Sequence, residues 1–156
     1  AAGAEGIILG CFDDTGLEEA APLVDCPVVG IGQAAYHYAA LRQWRFSVVT
    51  TLSVSVPVIE SCIHRLGLDQ NLSRVRASDV PVLDLDADPD GAGQLIVQEA
   101  LRAEAEDDIS AVILGCAGMV KVVQSVDRAL GIKAIDPVAC AAKCMIWLTS
   151  QDEGPH

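Results

Sequence analysis

The stretch IILGC at residues 7–11 returns as VILGC at residues 112–116. Each is an apolar run closed by Gly-Cys, and the repetition runs past it. PVVGIGQAA (27–35) follows the first copy, and KAIDPVACAA (133–142) follows the second. Cys11 and Cys116 stand 105 positions apart, and Gly30 and Asp136 stand 106 apart. Two blocks in the same order, at nearly the same offset, mark a duplicated unit.

The second unit reads in full. FSVVTT (46–51) is a β-branched run and predicts a strand. Ser55 is placed to cap a helix with Pro57 in its first turn and Val58, Ile59, Cys62, Ile63 and Leu66 on one face. VPVLDL (80–85) has the apolar run of a short strand. Residues 91–107 carry Leu95, Ile96, Ala100 and Leu101 at helical spacing. SAVILGC predicts a strand, 118–130 a helix stopped by Gly131, KAID a strand, and 137–148 a final helix. Strands alternating with helices predict an α/β fold with parallel sheets and right-handed crossovers.

We therefore expect two pseudo-symmetric parallel-sheet α/β domains. Residues 1–44 with 132–150 form the first, residues 45–131 the second, and 151–156 a tail. The second unit needs roughly 105 residues, whereas only about 44 precede FSVVTT. The first domain is accordingly expected to lack about 60 residues of its N-terminal part, because parallel strands require cover on both faces.

The bulk composition narrows the function. At 156 residues the chain fits one domain or two small ones, and a hydrophobic fraction of 51% is ample for a core. The formal charge is −12 with no basic run, which argues against nucleic acid and against an anionic membrane surface as partners. No stretch reaches 18 uninterrupted apolar residues, and no basic leader precedes an apolar run, so neither a membrane span nor a signal peptide is expected. The six cysteines, 11, 26, 62, 116, 140 and 144, form no Cys-x-x-Cys pair. Free thiols in a reducing cytoplasm fit them better than disulfides.

Cys11 and Cys116 close strands at the carboxyl ends, where open α/β sheets bind ligands. Thr15 and Glu18 after Cys11 fit a capping box, and the residues after Cys116 lead into a helix. A thiol near a helix N-terminus has a depressed pKa, and neighbouring N–H groups can hold a carboxylate or an oxyanion. One such cysteine alone reads most simply as packing. Two at matched positions of a repeat, set face to face about a pseudo-twofold axis, suit removal of a proton from one face of a carbon and return to the other. No cofactor is needed if that carbon lies next to a carbonyl. There is no phosphate loop and no dinucleotide fingerprint. None of Lys121, Lys133 and Lys143 stands at a strand end suited to a pyridoxal Schiff base.

At these residues the chain resembles the aspartate/glutamate racemase superfamily, most closely its hydantoin/allantoin racemase branch. The matching text is GIILGCFDDTGLEEA, PVVGIGQAA, RFSVVTTL, VILGCAGM and AIDPVACAAK, running from about Gly6 to Lys143. The resemblance implies two α/β domains with the site between them. It implies a cofactor-independent racemase with two catalytic cysteines, Cys11 and Cys116, acting on a small-molecule substrate. It also implies cytoplasmic homo-oligomers. Amino-acid racemases of the superfamily carry Thr after the second Gly-Cys; here Ala117-Gly118-Met119 follows, which favours a neutral ring such as a hydantoin over free aspartate or glutamate. Two departures stand out. The Asn-Pro-Asn-Thr type loop near the start of relatives has no counterpart here. The usual Cys-Phe-Gly-Asp-Pro-Gly reads Cys11-Phe12-Asp13-Asp14-Thr15-Gly16, so Asp13 adds a negative charge that disfavours a thiolate nearby.

The expected substrate-binding residues are Phe12, Asp13, Thr50, Thr51, Ala117, Gly118 and Met119. Thr50 and Thr51 end a strand and offer hydroxyls and N–H groups, Phe12 and Met119 wall the pocket, and Gly118 lets backbone approach the substrate. Asp136 before Pro137 reads as a helix cap. His37 and His64 fall inside helices away from the thiols, and His156 lies in the tail. Cys140 and Cys144 share a helical face without further metal ligands, and with Cys26 and Cys62 they read as packing. The acidic run at 84–90 lacks the spacing of a calcium loop. Beside the racemase stand three alternatives: a related isomerase (amino-acid racemase or maleate isomerase), a non-catalytic small-molecule-binding protein on the same fold, and a redox thiol switch. The second cysteine argues against a one-cysteine arylmalonate decarboxylase.

Overall fold

The computed structural model describes residues 3–150, and the expected tail at 151–156, with His156, lies outside the described residues. The first half runs β1 (Ile7–Leu9), α1 (Leu17–Ala20), β2 (Val28–Gly30), α2 (Ile31–Leu41), β3 (Phe46–Thr50), α3 (Val56–Arg65) and β4 (Leu72–Ala77). The second half runs α4 (Asp84–Ala87), α5 (Pro89–Glu106), β5 (Ala111–Gly115), α6 (Val123–Ala129), β6 (Lys133–Ile135) and α7 (Pro137–Ser150). Every described strand pairing is parallel: β1 with β2 in one sheet, and the order β4-β3-β5-β6 in the other. This is the α/β class with parallel sheets that the alternation predicts.

The two central strands, β3 and β5, are buried along their whole length, as a sheet covered on both faces demands. Their side chains alternate between two cores. Val48, Ile113 and Ile135 join Tyr36 of α2, Ile59 and Ile63 of α3, and Ala141 of α7. Val49, Val112 and Leu114 join Ile96 and Ala100 of α5 and Val126 of α6. The helix after β3 thus lies on one face and the helix after β5 on the other. That reversal is a topological switch point, and the carboxyl ends of β3 and β5 beside it are where open α/β sheets bind their ligands.

Helix α7 packs on α2, β1 and β2. Lys133–Ile135, by contrast, pairs with β5 in the four-stranded sheet. It takes its register from the second unit, although its sequence lies in the span expected for the first.

Several local expectations change. The strand expected at 80–85 is instead a turn leading into α4, and the strand at the sheet edge is β4, with Arg74 and Arg76 within it. The helix expected over 118–130 is a 3-10 turn, Ala117–Lys121, followed by α6; Leu130 is already extended, and Gly131 donates its N–H to Glu104 at 2.8 Å. Ser55 precedes α3 without a side-chain cap. The capping box expected from Thr15 and Glu18 is absent, because Gly16, at φ 85°, is the residue before α1.

Candidate active site

Cys116 directly follows β5, and Cys11 follows β1 by two residues. Cys11 is exposed and Cys116 half-buried. Cys11 and Cys116 thus stand just past the carboxyl ends of two parallel strands, at matched positions of the repeat. Burial pushes the Cys116 thiol up from its ordinary value. The N–H groups of Gly118 and Met119 point at its sulfur and pull the other way, while the charges of Cys11 and Asp13 add to the rise. The depressed thiol expected at a helix N-terminus is therefore not found at Cys116. A 3-10 turn supplies two N–H groups but little aligned dipole, and desolvation wins.

The glycines of the two Gly-Cys pairs have different work. A Cβ on Gly115 would sit 3.0 Å from Cα and Cβ of Thr50, so only glycine lets β5 lie this close to the end of β3. A Cβ on Gly10 would meet nothing within 4 Å. Gly118 is also crowded: its Cβ would come 2.8 Å from Leu85 and 3.7 Å from Cys116 Sγ. Its lack of a side chain serves the packing of the turn that aims N–H groups at the thiol.

Thr50 is 1% exposed, and its hydroxyl donates to the Gly115 carbonyl at 3.1 Å. Its proton is committed to tying β3 to β5 one residue before Cys116. Ser78 donates to the Thr50 carbonyl at 3.0 Å and closes the same corner. Thr51, 5% exposed, follows β3 at the switch point. Phe12 and Met119 lie in the cores. Phe12 meets Tyr36 edge-on with ring centroids 5.5 Å apart, and Met119 is fully buried behind β5. Ala117 packs against the first core.

The loop after Cys11 is fastened at three points. Asp14 N–H donates to the Cys11 carbonyl at 3.1 Å, closing a turn. The Asp14 carboxylate accepts from Gly32 and Gln33 N–H at the start of α2, at 3.1 and 2.6 Å. The Asp13 carbonyl accepts from the Cys62 thiol at 3.3 Å, and Cys62 Sγ in turn accepts from Arg65 at 3.2 Å. Burial raises the Asp13 carboxyl, and it pushes the Asp14 carboxyl up to about 6 against the pull of Gln33 and Gly32. Asp14 and Cys62 were not among the expected site residues. The signal for Asp14 lay in the repeat itself, where Gly30 stands opposite Asp136 with no carboxylate of its own.

The remaining candidates make structural or surface contacts. Asp136 caps α7 through Val138 and Ala139 N–H. His37 meets the Gln33 carbonyl at 2.8 Å and His64 meets Asp69 at 2.9 Å, both on the surface. Cys140 and Cys144 pack against the first core, and burial pushes the Cys140 thiol up to about 11. Asp88 caps α5 by accepting from Gly91. No cluster of His, Cys, Asp or Glu suited to a metal occurs among the described residues, and no described helix is long and apolar enough to cross a membrane.

The family model described as Asp/Glu/Hydantoin racemase matches residues 1–145. The hydantoin racemase of Rhizobium meliloti is 43% identical over 143 residues, 92% of this chain and 59% of that protein. Among solved structures, allantoin racemase from Klebsiella pneumoniae superposes with a TM-score of 0.89 at 35% identity, covering 96% of this chain and 61% of that one. Allantoin racemase from Pseudomonas fluorescens gives 0.92 at 33% identity, covering 97% and 64%. The chain thus spans about three fifths of the length of these relatives.

Proposed function

The chain belongs to the Asp/Glu/Hydantoin racemase family, and on that premise we propose that it serves a cofactor-independent racemase of 5-substituted hydantoins or allantoin, with Cys11 and Cys116 as the proton-transferring pair. One observation carries the reading: two thiols from matched positions of a repeat follow the carboxyl ends of parallel strands β1 and β5, one exposed and the other half-buried.

The chemistry follows from the substrate class. The C5–H of a hydantoin is adjacent to a ring carbonyl, so its removal gives an enolate and needs only a positioned base. One thiolate takes the proton from one face, and the opposite thiol returns one to the other face. The roles exchange with the hand of the substrate. Cys116, held protonated by burial, begins as the acid for one enantiomer. In the other direction it must first ionise, helped by the N–H groups of Gly118 and Met119. Thr51 and backbone N–H groups at the ends of β3 and β5 are the candidate donors to the enolate oxygen. Thr50 holds the two strand ends together. Asp13 sets a carboxylate beside the pair, which suits a ring presenting N–H donors and disfavours a free amino acid's carboxylate.

The division into residues 1–44 with 132–150, against 45–131, sets one of the two proposed catalytic cysteines in each unit, Cys11 in the first and Cys116 in the second. Packing of α7 on α2 and β1 supports the C-terminal helix as part of the first unit. Six free thiols suit a cytoplasmic location. Exposed Leu23, Leu41, Ile146 and Trp147 suit a homo-oligomer.

The deciding experiment is proton NMR in D₂O on single enantiomers of several 5-substituted hydantoins, allantoin, aspartate and glutamate, with spontaneous exchange subtracted. We expect loss of the C5 signal that depends on the chain, is abolished for one enantiomer in Cys11→Ser and for the other in Cys116→Ser, and is accompanied by racemisation only when both cysteines are present. Exchange confined to aspartate or glutamate moves the assignment to an amino-acid racemase. A second reading, a non-catalytic binding protein on this fold, draws on Asp13 and on the protonated Cys116. It is supported by ligand-induced shifts without exchange in any compound.

A further inference from the structure

The two copies of the repeat cap their helices differently. At the start of α7, Asp136 Oδ1 accepts from Val138 and Ala139 N–H at 2.9 and 3.1 Å, a local cap of the usual kind. At the start of α2 the matching residue is Gly30, which has no side chain. The matching donors, Gly32 and Gln33 N–H, are nonetheless satisfied, and Asp14 satisfies them. This carboxylate arrives from the loop that carries Cys11. A Cβ on Gly30 would overlap Asp14 Oδ1, and one on Gly32 would come 2.8 Å from Oδ2 and overlap the Phe12 carbonyl. Gly30 itself has ordinary extended dihedrals, φ −85° and ψ 147°, so glycine is required there by space and not by conformation. Asp14 takes φ 51°, a left-handed turn that Asp tolerates better than most residues.

The second copy thus caps α7 from within, whereas the first caps α2 across a gap in the chain. The difference has a mechanical result. Capping from the loop joins the Cys11 turn to a helix whose Tyr36 and Ala35 are buried in the main core. The turn from Cys11 to Asp14 then has a fixed base, with Phe12 against Tyr36 as its second foot. We propose that Asp14 is a positioning residue, which caps α2 from the Cys11 loop and so fixes where the Cys11 thiol stands relative to Cys116. This rests on the two-thiol racemase reading above.

The test separates capping from positioning. Asp14→Ala removes both. Asp14→Ala with Gly30→Asp returns a local cap to α2, copying Asp136, but leaves the Cys11 loop untied. Three readouts are compared with the unaltered chain: melting temperature, C5–H exchange with the best substrate, and deuterium uptake of the peptide over residues 10–17 against that over 31–41. Asp14→Ala is expected to lower the melting temperature, to speed uptake over 10–17 and to cut C5–H exchange at least tenfold. The double variant is expected to recover the melting temperature and the protection of 31–41, while uptake over 10–17 stays at least tenfold faster and C5–H exchange stays low. Asp14→Asn keeps an acceptor oxygen and is expected to hold exchange within about threefold of the unaltered chain, a control that stands even if the alanine variants fail to fold. Full recovery of loop protection and C5–H exchange in the double variant would overturn the proposal and leave Asp14 a helix cap only. So would loss of exchange in Asp14→Asn with an unchanged loop. If the unaltered chain exchanges no substrate, the racemase reading fails, and the uptake over 10–17 still decides whether Asp14 holds the loop.

Discussion

Asp14 titrates where its surroundings put it, and the sign can be worked out. Its carboxyl is raised to about 6 in the fold, against about 3.8 when the chain is unfolded. A raised acid binds its proton more tightly in the native state. Its contribution to stability is therefore complete below about pH 4 and is lost as the pH rises through 6. Carried to neutral pH, that rise is worth roughly 2–3 kcal/mol at most, less what solvent screens around this half-buried group. Denaturant midpoints between pH 4 and 7 are expected to fall in the unaltered chain by up to that amount relative to Asp14→Asn. Parallel pH profiles would place the dependence on another group. Asp14 also marks the limit of what single residues disclose in sequence. Cys11 and Cys116 are legible because each ends an apolar run and the run repeats. Asp14 sits in a string of turn-forming residues, and its partners lie eighteen and nineteen positions away. A cap that acts across such a distance leaves no local pattern; its trace is the glycine standing where the other copy has a carboxylate. Phe12 and Met119 are ambiguous for the opposite reason. Large apolar residues beside a strand end suit a pocket wall and a core equally well, and both are in the cores.

Among the elements, β3, β5 and the long helix over Pro89–Glu106 follow from the run of apolar residues and the helical spacing. Strand β4 does not. Its sequence, LSRVRA, alternates Arg with apolar residues, so the apolar VPVLDL eight residues later looks the better strand. The structure accommodates Arg76 by pairing it. Its guanidinium is buried and donates to Asp107 at 2.6 Å through two nitrogens, to Glu106 at 2.7 Å and to Glu99 at 3.1 Å. Burial pushes the Asp107 carboxyl up, but the bonds from Arg76 and Ser47 outweigh it and hold the carboxyl below its ordinary value. This cluster pins the edge strand to the end of α5 and to β3. Arg76→Met leaves Asp107 buried without its main partner, and such a broken pair costs about 3–5 kcal/mol. Urea denaturation of Arg76→Met is expected to show a loss of that order, with much of it regained in Arg76→Met with Asp107→Asn. Equal losses in the single and double variants would mean that packing, and not the stranded charge, sets the cost.

The chain carries a formal charge of −12, and in the proposed site Asp13 adds to that field. On the racemase proposed above, both act on a substrate before it meets either thiol. A neutral hydantoin ring experiences little net force from the surrounding field, whereas a ring bearing a carboxylate in its 5-substituent is repelled on approach. Salt shortens the reach of that field from about 30 Å at 0.01 M to about 8 Å at 0.15 M. Two salt dependences are therefore expected from one protein. For a neutral 5-alkyl hydantoin, kcat/KM measured by C5–H exchange should vary by less than about twofold across that range. For a hydantoin with a carboxymethyl substituent, it should rise severalfold as salt is added, through the second-order constant and not through kcat. Asp13→Asn should flatten part of that rise, because the nearest fixed charge contributes most where screening is weakest. A strong salt dependence with the neutral ring would indicate that salt acts on the protein's own assembly. A fall in kcat/KM with salt for the carboxylate-bearing ring would point to a local cationic patch that outweighs the global charge. Such a patch would reverse the preference for neutral rings drawn from Asp13 and from Ala117-Gly118-Met119 after the second cysteine.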